Sequence, residues 1–193
     1  MATNIEIEAK ALISEDEYFK VKDFFKFKIN KEYIQNNHYI DDSDFSLRKH
    51  GAGLRIRELN NSYELTLKTP IAEGLLEKTD IISKEEYIEM ATKNIFPESR
   101  IKNFLIMLGY NTNDFKIQAS LKTTRADALI DECKFSIDKN EYGRNVDYEL
   151  ELEANNPQLA QDTLKEICEE VGIKYKQNVV SKQARALKAT LNK

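Results

Sequence analysis

Acidic residues recur at alternate positions in two short segments of this chain. Glu6 and Glu8 lie in Ile5-Glu6-Ile7-Glu8-Ala9-Lys10, and Glu149, Glu151 and Glu153 lie in Tyr148-Glu149-Leu150-Glu151-Leu152-Glu153. Basic residues follow the same rhythm at Arg55 and Arg57, while Glu64, Thr66 and Lys68 align, as do Lys134, Ser136 and Asp138. Successive side chains of a strand point to opposite faces, so each set shares one face and the apolar residues share the other. Carboxylates are ligands for hard cations such as Mg²⁺ and Mn²⁺. Guanidinium and ammonium groups match phosphate oxygens. The ligand these types imply together is a metal-complexed polyphosphate.

A half-exposed sheet with its charged face in water gives the same alternation. Two features argue for more. The charged face is nearly pure Glu, Asp, Lys and Arg, and the signs are segregated, with acids on the first and last strands and bases between. Three like charges in a row on one strand face repel each other unless something positive neutralises them. If the sheet closes with this face inward, helices cover the apolar outside and the interior becomes a hydrated charged channel.

The elements needed are legible. Strands are expected at Ile5–Leu12, Ile34–Tyr39, Gly53–Leu59, Ser62–Lys68, Leu75–Ile82, Lys116–Arg125, Ala128–Asp138 and Asp147–Ala154. Their neighbouring, hairpin-like order suits an antiparallel sheet or closed barrel. Ser14 with Glu17, and Ser83 with Glu86, are capping boxes that open helices. Pro97 to Gly109 and Pro157 to Gly172 bracket two more helices, and a last one covers about Val179 to Leu191. The fold class expected is α+β, an eight-stranded antiparallel tunnel with a charged interior and helices outside. Length suits one domain over residues 1–193.

Composition excludes several classes. A net charge of −4 argues against a nonspecific nucleic-acid binder. No run of about 18 apolar residues is present, so no membrane partner is expected. The N-terminus has no apolar stretch of a secretory signal, and with two cysteines, Cys133 and Cys168, read as reduced structural thiols, a cytoplasmic location is expected. His38 and His50 have no paired acid nearby in sequence and are read as structural. Nothing in the sequence sets the oligomeric state.

Glu6-Ile7-Glu8-Ala9-Lys10 is an ExExK signature, followed in order by Leu54-Arg55-Ile56-Arg57, Glu64-Leu65-Thr66-Leu67-Lys68, Thr124-Arg125, Ile137-Asp138, Tyr148-Glu149-Leu150-Glu151 and Ser181-Lys182. With this series the chain resembles the CYTH superfamily, the triphosphate tunnel metalloenzymes, and more narrowly the compact bacterial CYTH-domain proteins of Gram-positive type. The resemblance runs from Ile5 to about Leu187. It implies that Glu6, Glu8, Glu149 and Glu151 bind metal and that Asp138 completes a second cation site, with Mg²⁺ or Mn²⁺ as cofactor. It implies that Lys10, Arg55, Arg57, Lys68, Arg125 and Lys182 hold the triphosphate, with Lys182 as a lid or plug on a helix. Tyr39-Ile40-Asp41-Asp42 departs from the family's usual strand end. The alternation does not settle which way Glu77, Lys78, Lys122, Lys134 and Glu153 face, because a one-residue slip reverses a strand.

The activity implied is metal-dependent hydrolysis of the terminal phosphoanhydride of inorganic triphosphate or a small organic triphosphate. Two other functions use the same residues. A class IV-type adenylate cyclase needs an adenine and ribose pocket, for which no sequence feature stands out. A non-catalytic polyphosphate or nucleotide sensor has no need of water-activating acids such as Asp138.

Overall fold

The computed structural model describes residues 2–130 and 132–191. Nine strands form one antiparallel, curled sheet: β1 (Ala2–Glu6), β2 (Glu8–Ile13), β3 (Tyr33–Asp41), β4 (Gly53–Leu59), β5 (Ser62–Pro70), β6 (Leu75–Ile82), β7 (Lys116–Ile130), β8 (Cys133–Tyr142) and β9 (Asn145–Glu153). Their order is β1-β6-β5-β4-β3-β7-β8-β9-β2. The expected count of eight is corrected to nine because the N-terminal strand breaks at Ile7. Its first half pairs with β6, with Glu6 opposite Leu75. Its second half pairs with β9, with Glu8 opposite Glu153. The two edges of the sheet are therefore consecutive pieces of chain, so the ladder is a curled sheet with a covalent seam rather than an uninterrupted ring.

The seam depends on one glycine. Gly74, with φ 89°, turns β5 into β6. A Cβ there would collide with the Glu6 carbonyl oxygen and sit 2.8 Å from Ile7 Cγ1. Only glycine lets this turn lie against the break that aims Glu6 and Glu8 inward. Elsewhere Asn60 and Asn61, both at positive φ, make the tight link between β4 and β5.

Another expected boundary moves. β7 runs on through the anticipated break at residues 126–127 to Ile130, and β8 starts at Cys133. No Gly, Pro or Asn stands at 126–127, and the left-handed residue is Glu132, with φ 67°.

Among the described residues six α-helices accompany the sheet, besides a short 3₁₀ turn at Thr112–Asp114: α1 (Glu15–Phe24), α2 (Ser46–Lys49), α3 (Lys84–Lys93), α4 (Arg100–Met107), α5 (Pro157–Val171) and α6 (Lys182–Leu191). Both capping boxes form, at Ser14/Glu17 and Ser83/Glu86. Ser99, not Pro97, caps α4, and α2 was not foreseen. α1 and α5 cover the outer face of β2, β8 and β9, burying Ala9, Ala11, Phe135, Ile137, Leu150 and Leu152. α2, α3 and α4 contribute Leu47, Met90, Ile101 and Leu105 over Ile40, Leu54, Ile56, Leu65 and Leu67. Each buried Leu, Ile, Phe or Met among these contributes roughly 1.5–3 kcal/mol through burial, which keeps the apolar face outward and the charged face in.

α6 departs from the expectation that helices pack outside. Its Ala186 and Leu187 bury against Tyr39, Ala119 and Leu121. Tyr39 pairs with Arg55 and Ala119, and Leu121 pairs with Asn37, so all belong to the inner face. α6 thus fills one end of the bore. It starts at Lys182, not Val179, because Ser181 Oγ accepts the Ala184 N–H while Asn178 Oδ1 accepts the Val180 N–H.

Candidate active site

The inner face of the sheet surrounds a cavity of about 340 Å³ beside the start of α6. Glu6, Glu8, Lys10, Arg55, Arg57, Lys68, Arg125, Glu151 and Lys182 all line it. A second cavity of about 220 Å³ continues toward the opposite mouth, sharing Glu6, Glu8, Arg55, Arg57, Arg125 and Glu151. Asp138 and Glu149 line neither. Both are fully buried in the wall next to the first cavity, with Lys182 bridging them to it.

The five residues of open register divide. Glu77, Lys134 and Glu153 line the second cavity. Lys78 lies on the outer layer, its ammonium 5.2 Å from the Phe104 ring centroid, and Lys122 pairs with Glu141 at 3.0 Å away from either cavity.

The acids near α6 are neutralised in an ordered way. Asp138 accepts a two-pronged bond from Arg125, Oδ1 from Nε at 2.7 Å and Oδ2 from Nη2 at 2.6 Å. Lys182 Nζ stands 2.8 Å from Asp138 Oδ2 and 2.7 Å from Glu149 Oε2, and also pairs with Glu151. Arg125 pairs with Glu151 too. Burial works against the charged form of Glu151, yet Lys182 and Arg125 hold its carboxyl well below the usual range. Asp138, Glu149 and Glu151 each offer an oxygen within 4.8 Å of the others. This all-carboxylate donor set fits a hard divalent cation.

Across the seam, Glu8 behaves differently. Burial, then the nearby Glu151 charge, push its pKa up, and only Lys10, at 2.6 Å, and the more distant Lys68 offset this. Glu6 pairs with Lys68, which also sits 3.2 Å from Glu77.

Opposite these acids, Arg55 and Arg57 form a positive pair without contact ion pairs, with Glu77 attracting both and Glu64 attracting Arg57 at longer range. Among the described residues neither makes an ion pair, and Arg55 Nε is buried without a hydrogen-bond partner. Arg57 Nε donates only to Asn37 Oδ1, at 3.2 Å. Burial, with the Arg55 and Arg125 charges, pulls the Arg57 pKa down to about 10. Two half-buried guanidinium groups short of acceptors form a receptor for an anion.

Sequence reasoning missed Arg185 and Asn178. Arg185 Nη2 and Nη1 donate to Glu149 Oε2 and Oε1 at 2.9 and 3.1 Å, and Nε pairs with Asp147 Oδ2 at 2.8 Å. Asn178 Nδ2 donates to Glu149 Oε1 at 2.6 Å. Arg185 lies one helical turn beyond Lys182, and Asp147 shares the inner face with Glu149, so a spacing signal existed. Glu149 thus accepts from four donors and anchors α6. Glu149→Gln or Arg185→Met breaks a buried ion pair and is expected to lower stability by about 3–5 kcal/mol. Equilibrium urea unfolding checks it, and an unchanged midpoint would show the anchor to be unimportant.

The other sequence readings resolve simply. Cys133 and Cys168 are buried and not joined by a disulfide. His38 bonds Ser120 Oγ at 2.8 Å and Tyr87 OH at 3.0 Å outside the bore, and His50 bonds Tyr110 OH at 2.7 Å. Among the described residues no helix is long and apolar enough to cross a membrane.

Comparison with known proteins places this geometry. The model of the CYTH domain family matches residues 4–186. A Bacillus subtilis protein named "Putative triphosphatase YjbK" is 34% identical over 154 residues, 80% of each chain. A crystal structure from Bacillus halodurans, described as a "putative adenylate cyclase", is 30% identical with TM-score 0.88, covering 96% of this chain and 98% of that one. A Hippeastrum structure is 24% identical with TM-score 0.79 over 94% and 95% of the two chains, and shares the fold.

Proposed function

Since this chain belongs to the CYTH domain family, we propose that it hydrolyses the terminal phosphoanhydride of inorganic triphosphate or a small organic triphosphate, with Mg²⁺ or Mn²⁺ as cofactor. The observation that carries this reading is the Arg55–Arg57 pair, free of contact ion pairs among the described residues and facing Glu6, Glu8 and Glu151 across one cavity. A relative named as a triphosphatase supports the reaction class.

Glu6, Glu8 and Glu151, which line the cavity, would hold one cation, and Asp138 and Glu149, buried behind Lys182, would contribute to a second. A divalent cation there supplies Lewis-acid stabilisation of phosphate charge and acidifies water. Arg55, Arg57, Lys10, Lys68 and Arg125 bind the phosphate oxygens and stabilise charge on the transferred group. Lys182 spans Asp138, Glu149 and Glu151 in the free protein, and incoming phosphate offers it another partner. Its transfer to phosphate frees carboxylate lone pairs, so cation and anion binding are linked. Water is the nucleophile of this hydrolysis, so positioning and charge stabilisation by these residues suffice without a covalent side-chain nucleophile.

The test is a phosphate-release screen over tripolyphosphate, pyrophosphate, ATP, GTP and thiamine triphosphate with each cation. Free phosphate from tripolyphosphate is the expected product. Cyclic AMP plus pyrophosphate from ATP would make it a cyclase, and tight tripolyphosphate binding without turnover would make it a sensor.

Cation binding also has a pH signature. The raised Glu8 pKa means that Glu8 keeps its proton to higher pH in the free protein than in the unfolded chain. Stability from the protonated form is present below the ordinary carboxyl pKa and fades as pH rises through the folded value. A cation must displace this proton, so Mn²⁺ affinity is expected to rise with pH across that window, with proton release. Calorimetry in buffers of different ionisation enthalpy reads it, and Glu8→Gln should remove the dependence.

A further inference from the structure

The bore is electrically unequal along its length. Its middle, common to both cavities, is balanced, with Glu6, Glu8 and Glu151 against Arg55, Arg57 and Arg125. The charged residues that line only the α6 end are Lys10, Lys68 and Lys182. Those that line only the opposite mouth are Glu77, Glu153 and Lys134. All three of these lysines have carboxylate partners in the free protein, and Lys68 also reaches Glu77, so the acidic excess at the far mouth rests on Glu153.

Glu153 is the exposed member of that excess. It lies opposite Glu8 on β2 and opposite Lys134 on β8, and among the described residues it makes no ion pair. α6 occupies the other end, with Ala186 and Leu187 packed on the inner face. A phosphate chain held by the arginines and the α6-end lysines therefore extends, if it is longer than the pocket, toward Glu153.

We infer that Glu153 limits the length of linear polyphosphate the bore accepts. Each added phosphate brings a further negative charge against the Glu153 carboxylate beside Glu8, while three linked phosphates stay within the cationic part. This inference rests on the triphosphate reading of the site and adds a specificity-determining residue to it. Lys134 opposes Glu153 from the neighbouring strand and moderates the repulsion.

Calorimetric titration of EDTA-treated protein with tripolyphosphate and with linear tetrapolyphosphate tests it, because it needs no turnover. Wild type is expected to favour tripolyphosphate by about 5- to 10-fold, the scale of one well-solvated like-charge contact at about 4 Å. Glu153→Gln should bring the ratio close to one, and Glu153→Lys should reverse it. Lys134→Gln should widen it. The same ratio in all four proteins would overturn the gate and leave triphosphate binding intact. Failure of wild type to bind tripolyphosphate both after EDTA treatment and with Mg²⁺ restored would overturn both, since no anion would then be held for Glu153 to limit.

Discussion

Replacement of Glu151 by Gln is expected to abolish metal-dependent phosphate release, with kcat falling by about 100- to 1,000-fold or more. Glu151 lines the cavity, adjoins Glu8 electrostatically, and takes both Lys182 and Arg125. The substitution keeps the shape and removes the charge that would hold a cation and recruit these two bases. The variant should still fold, because Asp138 and Glu149 continue to neutralise Arg125 and Lys182. Loss of Mn²⁺ affinity with a cooperative unfolding transition separates this from simple destabilisation. Because Glu151 is held ionised, its stabilising share is present above the ordinary carboxyl pKa and is lost as pH falls through the depressed folded value. Wild-type kinetics in Glu151→Gln would remove the bore from consideration as the catalytic site.

Arg57→Met is expected to weaken triphosphate binding by about 10- to 100-fold, the usual worth of charged hydrogen bonds to a phosphate. The same substitution should stabilise the free protein by about 1 kcal/mol, discounted for solvent screening. A base whose pKa falls on folding weighs against the folded state at neutral pH, and Arg57 falls to about 10 because burial and two neighbouring arginines disfavour its charge. Stability is thus given up to preform an anion receptor. The two signs can be read in one experiment. Thermal unfolding without ligand should shift upward in Arg57→Met, and the further upward shift produced by tripolyphosphate in wild type should largely vanish. A lower melting temperature with an undiminished ligand shift would show that Arg57 is a structural residue and not part of the anion site.

Both predictions turn on counter-charges, and these were only partly readable from the chain. Alternation alone groups Glu6 with Glu8, Arg55 with Arg57, and Glu149 with Glu151 on shared strand faces, and the structure turns Glu6, Glu8, Glu151, Arg55 and Arg57 toward one cavity. Asp138 and Glu149 were found by the same rule, but not their full burial behind Lys182 and Arg125. Alternation reports a face, not a depth, because depth depends on what packs over the residue. Arg185 was overlooked because it acts through contacts with Asp147 and Glu149 more than thirty residues away in sequence.

The local rules were strongest where a single residue decides the backbone. Ser14 and Ser83 each start a helix by satisfying an orphan N–H three residues on. Asn60 and Asn61 turn a hairpin because they tolerate positive φ. The continuous β7 and the break at Ile7 were not visible, since each follows from partners across the sheet.

What the amino-acid order determined by itself is the two-faced chemistry of the strands: which side chains go together, and therefore that acids and bases share the polar face of the sheet. Nearest-neighbour geometry suffices for that, because side chains alternate along any strand. The tertiary structure alone decided that the N-terminal strand splits to join both edges, that α6 enters the bore, and that the positive and negative groups are left unequal along it. Those outcomes depend on Gly74 admitting the Glu6 carbonyl and on Lys182 and Arg185 finding buried carboxylates, contacts between residues far apart in the chain.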